Sequence, residues 1–136
     1  MRTFLDTSVF LYAAGKSHPC REACARVLES VADGGLDAVV SAAVLQELLI
    51  VVAGGTGREQ GVRLTRSVAA LFPDLLPVTA EDMREASAMI LRHPRVPIRG
   101  AIHAATMLRH GVRRVISLDE SLDRIPEIQR VDPREA

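Results

Sequence analysis

The sequence predicts an α/β domain: three layers, α/β/α, around a mostly parallel sheet. Three observations carry that prediction. Short apolar runs alternate with longer segments of helical periodicity along the whole chain. Caps and breakers (Ser, Thr, Asp, Gly and Pro) stand at the junctions between them. Composition is the third: 48% of residues are hydrophobic but only 3% aromatic, so the core is Leu, Val, Ile and Ala, which suits helices packed on a parallel sheet. With 136 residues, the expectation is one domain, 1–136, burying roughly two-thirds of the surface its unfolded form exposes.

Thr3-Phe4-Leu5-Asp6 reads as the first strand, with Asp6 on the strand-to-helix turn. Thr7 or Ser8 is the expected cap of a helix from Val9 to about Ala14, ending near Gly15. Pro19 opens a second helix through Glu22, Val27, Leu28 and Val31, stopped by Asp33-Gly34-Gly35. Asp37-Ala38-Val39-Val40-Ser41 reads as a second, buried strand. Ser41 is placed to cap the next helix, whose apolar stripe includes Val44, Leu45, Leu48, Leu49 and Val52 and which ends at Gly54-Gly55.

A helix from Arg58 carries Val62, Thr65, Val68, Ala69 and Phe72 at helical spacing and closes at Pro73. Leu75-Leu76-Pro77-Val78 reads as a short strand near a sheet edge, because of its proline. Thr79 or Ala80 begins a helix with Met83, Ala86, Met89 and Ile90, ended by Pro94. After Pro97 a long helix runs through Ala101, Ala104, Ala105 and Leu108 to Gly111. Val115-Ile116-Ser117-Leu118 is the clearest late strand, and the run from Ile128 to Val131 adds another.

No apolar run approaches the roughly 20 residues of a membrane span, and the N-terminus lacks a signal-peptide profile, so a cytoplasmic protein with no membrane partner is expected. Seventeen basic and 17 acidic side chains leave no net charge, so bulk charge does not announce a nucleic-acid binder. Every basic residue except Lys16 is Arg, and Arg92, Arg95 and Arg99 crowd with His93 before Gly100, a composition suited to phosphate contacts. Cys20 and Cys24, four apart on a helix, have poor disulfide geometry and read as reduced thiols. With His18 they still lack the fourth ligand of a closed zinc site.

Three carboxylates fall in comparable places. Asp6 and Asp119 each follow an apolar strand by at most one residue, so both emerge at the carboxyl edge of the sheet, where open α/β folds bind ligands. Glu47 lies six residues beyond Ser41, on the second turn of the helix leaving the second strand, beside a buried stripe. Carboxylates converging at one edge repel unless a proton or cation intervenes, and Mg²⁺ or Mn²⁺ with oxygen ligands is the natural solution. Such an ion activates water and neutralises charge on a phosphodiester, with no Ser or Cys nucleophile. Glu120 and Asp123 stand near Asp119 as assisting acids.

Four blocks in order resemble the PIN domain, and most closely the ribonuclease toxins of VapBC toxin–antitoxin modules. They are Phe4-Leu5-Asp6-Thr7-Ser8-Val9, Ser41-Ala42-Ala43-Val44-Leu45-Gln46-Glu47-Leu48, Ala101-Ile102-His103-Ala104-Ala105-Thr106 and Val115-Ile116-Ser117-Leu118-Asp119. A closing Ile125-Pro126 and Val131-Asp132-Pro133 extend the resemblance over nearly the whole chain. It implies metal-dependent cleavage of single-stranded or structured RNA, by homodimers held inactive by a small antitoxin protein. By position it makes Asp6, Glu47 and Asp119 the metal carboxylates, with the Ser8 and Ser117 hydroxyls orienting them or a metal water. Two family acids are missing: Gly100 stands where one opens the long helix, and Ser121 stands two residues after Asp119.

Because Gly100 removes a carboxylate from a small cluster, a second function stays open, a catalytically inactive PIN domain that binds RNA or an antitoxin. His103, one turn from Gly100 on the same face, is a poor Mg²⁺ ligand when neutral. Two unrelated acidic pockets are excluded. A phospho-acceptor receiver needs a late lysine, and the only Lys is Lys16; a dehalogenase-like phosphatase needs an acid where Ser8 stands.

Overall fold

In a computed structural model the chain is described over residues 1–15 and 17–136; Lys16 lies outside the described residues. The elements are β1 (Thr3–Leu5), α1 (Thr7–Ala14), α2 (Arg21–Ala32), β2 (Ala38–Val39), α3 (Ala42–Gly55), α4 (Arg58–Leu71), α5 (Ala80–Arg92), α6 (Ile98–Arg109), β3 (Arg114–Ile116) and β4 (Gln129–Val131). Short 3₁₀ turns at Glu120–Arg124 and Pro133–Glu135 flank β4. The four strands run in the order β2-β1-β3-β4, and every pairing is parallel. Phe4 pairs with Val39 on one side and Val115 on the other, which puts β1 at the centre of the sheet.

Phe4, Leu5, Val39, Val115 and Ile116 are almost wholly buried, as strands covered by helices on both faces must be. Their apolar character carries no alternation because neither face sees water. Helix α3 packs on α4 and α5 on α6. The first pair approaches closely: a Cβ at Gly61 would lie 2.7 Å from the Ala53 backbone nitrogen. Gly111, at φ +70°, ends α6 in the left-handed conformation, and the Val112 N–H then reaches back to the Met107 carbonyl.

Three expectations need correction. Asp6, and not Thr7 or Ser8, caps α1; its side chain accepts from the Thr7 N–H, and both hydroxyl residues lie inside the helix. Ser41 stands at the α3 cap position, yet its hydroxyl makes no capping bond and is buried without a partner. The segment from Leu75 to Val78 is not a strand. It contributes a single parallel bridge from Leu76 to Ser41, because Pro77 has no N–H with which to continue the ladder. The second strand is correspondingly short, Ala38–Val39.

Cys20 and Cys24 are buried free thiols, and burial pushes the Cys24 thiol up to about 11. His18 Nδ1 accepts the Cys20 N–H, which holds the turn before α2. No helix among the described residues is long and apolar enough to cross a membrane.

Helices α5 and α6 are tied by a buried acid. Asp82 is 1% exposed, completes a capping box with Thr79, and accepts from Thr106 Oγ1 at 3.2 Å and from Arg109 Nε at 2.6 Å. Burial raises its pKa, but the bonds from Arg109, Thr79 and Thr106 outweigh that and hold the carboxyl below its usual range. A depressed folded pKa stabilises the protein above the unfolded value, and this contribution is lost as pH falls through the folded one. Asp82→Asn is therefore expected to lower the melting temperature at pH 7 by roughly 3–8 °C. The deficit should shrink below pH 3, which a pair of thermal melts at the two pH values checks.

Candidate active site at the carboxyl edge of the sheet

The carboxyl ends of β1 and β3 lie side by side, so the residues that follow them meet. Asp6 is 2% exposed, and each of its oxygens is occupied. Oδ1 accepts from the Thr7 N–H at 2.8 Å; Oδ2 accepts from Ser117 Oγ at 2.6 Å and Ser8 Oγ at 3.1 Å. Ser8 Oγ in turn accepts the Leu118 N–H, and Ser117 Oγ accepts the Asp119 N–H. The two hydroxyls thus lace β1 to the loop after β3 and fix Asp6 in one orientation.

Asp119 caps the 3₁₀ turn that follows. Its Oδ1 accepts both the N–H and the hydroxyl of Ser121, the latter at 2.6 Å. Ser121 therefore orients an acid here where the family pattern has another one. Glu47 comes in from α3, its side chain 21% exposed. Its Oε1 lies 2.6 Å from His103 Nε2, which is itself 3.6 Å from Asp6 Oδ1. The ring nitrogen is poorly aimed for a hydrogen bond, so the two groups lie in close polar contact without a well-formed bond.

Two basic residues of α6 thus sit among the three acids. Arg99 donates from Nη1 to Glu47 Oε2 at 3.3 Å and from Nη2 to Asp119 Oδ2 at 3.2 Å. Burial pushes the guanidinium down, and the fields of Asp6, Glu47 and Asp119 more than offset that, so it stays charged. Burial also raises the Glu47 pKa, but His103 and Arg99 bring it below its usual value. His103 is 2% exposed, with Nδ1 buried and unpartnered and the Phe4 ring tilted against it at 5.4 Å.

Asp6, Glu47 and Asp119 are thus linked at this edge through His103 and Arg99, and Ser8 and Ser117 stand against Asp6. Asp123 does not join them. It faces Arg130, which binds it through two nitrogens and donates a third bond to the Ser117 carbonyl. Glu120 is exposed and makes no contact with the cluster. The crowded arginines also part company: Arg92 pairs with Glu85, while Arg99 alone of Arg92, Arg95 and Arg99 touches the cluster. Spacing did not reveal His103 and Arg99 as partners of these acids; the visible signal was their position one turn apart on the helix beside Gly100.

The donor chemistry, three carboxylates with two hydroxyls and no sulfur, fits a hard divalent cation. As the side chains stand, no three His, Cys, Asp or Glu residues among those described are close enough to hold one together. Arg99 and His103 lie against the oxygens that would do so. Gly100 is buried, and a Cβ there would lie 2.7 Å from Leu122 Cδ2 and 3.1 Å from Pro97 Cγ.

The model of the PIN domain matches residues 3–128, nearly the whole chain. The chain belongs to the PIN domain family. Within that family it is 31% identical over 127 residues to ribonuclease VapC13 of Mycobacterium tuberculosis, covering 93% of this chain and 97% of that one. The fold agrees. The structure of VapBC2 from Rickettsia felis, bound to a DNA fragment from its promoter, superimposes with a TM-score of 0.75, covering 97% of this PIN domain and 98% of that chain at 18% identity. The structure of Mycobacterium tuberculosis VapC20, a toxin that cleaves the sarcin–ricin loop, gives 0.74 at 17% identity, covering 89% and 92%.

Proposed function

We propose that this PIN domain is a Mg²⁺- or Mn²⁺-dependent endoribonuclease and the toxin of a toxin–antitoxin pair. The observation that carries the reading is the meeting of Asp6, Glu47 and Asp119 at one sheet edge, in a chain related to VapC ribonucleases. These three carboxylates would hold the ion, which when bound supplies an activated water and charge neutralisation on the phosphodiester. Asp6 is preoriented by Ser8, Ser117 and the Thr7 N–H. Glu47 is kept ionised by His103 and Arg99, so it is available as an anionic ligand at neutral pH. Arg99, half-exposed, can leave the acids and present two N–H groups to a phosphate.

A partner surface lies on the other side of α3. Leu49, Ile50 and Val51, with Val62 of α4, are large apolar residues left 38–65% exposed, while Val44, Leu48 and Val68 on the same helices are core. Such a patch supports a protein interface. A homodimer and a small antitoxin are its proposed occupants, in a cytoplasmic setting.

The test is cleavage of a fluorogenic single-stranded RNA and of a structured RNA stem-loop in Mn²⁺. Cutting is expected with Mn²⁺, with loss to background on chelation and recovery on adding the metal back. A folded protein that binds these RNAs without cutting them in any divalent metal would instead be an inactive RNA-binding PIN domain.

A further inference from the structure

Beside the acidic cluster lies a groove of about 410 Å³ between the start of α3, the start of α5 and α6. Val78, Met83 and Ile102 form its apolar wall, and Gln46 is an exposed amide on its rim. At one end it is closed by Glu47 and Arg99, the residues that also belong to the cluster. The volume falls within the range of small-molecule clefts, roughly 300–1,000 Å³.

We propose that this groove is a nucleobase subsite, seating one base of a single-stranded RNA whose neighbouring phosphate lies at Asp6, Glu47 and Asp119. The proposal rests on the reading that the chain acts on RNA, and it names where a base is gripped. Continuity is the first argument: because Glu47 and Arg99 line both places, a strand crossing the cluster runs directly into the groove. Charge is the second. Arg99 is the cation at the junction, placed to meet a phosphate on one side and to offer its planar guanidinium to a base on the other.

Shape and polarity complete the match. A base has two apolar faces and a polar edge; the groove has an apolar wall and one amide, which carries both donors and an acceptor for reading that edge. The aromatic side chains are engaged elsewhere, Phe4, Phe10 and Phe72 in the core and Tyr12 against His18, so stacking falls to aliphatic and guanidinium surfaces. An apolar side chain from a protein partner fits less well. It would press against Glu47 and Arg99 and strip water from charges it cannot satisfy.

The experiment uses the full chain with Mn²⁺ and fluorescein-labelled 2′-O-methyl RNA decamers, whose integrity after each titration is checked on a denaturing gel. In a series of probes, one base at a time is replaced by an abasic residue, and binding is read by fluorescence anisotropy. One position is expected to lose about tenfold in affinity when its base is removed. That loss should vanish in Met83→Ala, which shortens the wall at a residue 45% exposed, and in Ile102→Trp, which fills the groove. Gln46→Ala should keep the stacking loss but flatten the preference among the four bases at that position. Melting curves establish that each variant is folded.

A chain that binds the decamers with no position-dependent loss overturns the subsite alone. So does a loss that survives unchanged in both wall variants, the result expected if the groove serves a protein side chain. A chain that binds none of the probes overturns the subsite together with the RNA reading.

Discussion

Asp6→Asn is expected to cut Mn²⁺-dependent RNA cleavage by at least about 100-fold and to remove the heat of Mn²⁺ binding in titration calorimetry. The substitution is close to isosteric, so the fold should persist. The amide oxygen can still accept the Thr7 N–H, and the Ser8 and Ser117 hydroxyls can rotate to accept from the new NH₂ group, since each bonds Asp6 only as a donor. What disappears is a full negative charge from a pocket in which three acids face Arg99 and His103. Glu47 and Asp119 are then left sharing Arg99, so the attraction for a divalent ion falls sharply. Cleavage and calorimetry together make the reading decisive. Unchanged metal binding would remove Asp6 from the site, and unchanged cleavage would remove the carboxylate cluster from the chemistry.

The parts of this site that were legible in the sequence share a cause. Asp6 and Asp119 follow apolar runs too short to be anything but buried strands, and a parallel sheet sends the residues after its strands to one edge. Their meeting is therefore a consequence of local pattern plus topology. Glu47 was legible only through its offset from the second strand, since where a helix side chain aims depends on how the helix packs.

His103 and Arg99 show the limit. Their partners are 52 residues away for Arg99 and Glu47 and 20 for Arg99 and Asp119, and nothing local marks either as a partner of the acids. An arginine among three arginines reads as a solvated face until α6 is laid across the edge. Leu75 to Val78 failed for a different reason. Its apolar run has strand composition, but the proline leaves one backbone bridge where the pattern suggested a ladder. Asp6 as the α1 cap was readable, since Asp caps as well as Ser or Thr does, but three adjacent capping residues left the choice to the tertiary contacts.

Gly100→Asp is expected to raise Mn²⁺-dependent cleavage of single-stranded RNA by about tenfold or more, and the gain should be larger with Leu122→Ala in the same chain. Helix α6 has no acid in its first turn, and its cap, Pro97, offers no side-chain bond. A carboxylate at 100 would therefore meet the positive end of the helix while bringing a fourth negative charge to the cluster. That shifts the balance against Arg99 and towards a divalent ion. Space opposes it: the new Cβ would sit 2.7 Å from Leu122 Cδ2, the far end of a flexible side chain, and Leu122 is 3% exposed and packed in the core.

Overpacking of this kind costs about 1–3 kcal/mol, so the single variant should melt below the parent while cutting faster. Trimming Leu122 to Ala opens the room the carboxylate needs, and Leu122→Ala alone should lower stability without raising the rate. Three rates and three melts thus separate the charge at position 100 from the packing around it. Equal rates for the parent, Gly100→Asp and the double variant would mean that the glycine is not a missing ligand and that Asp6, Glu47 and Asp119 form the whole acidic set.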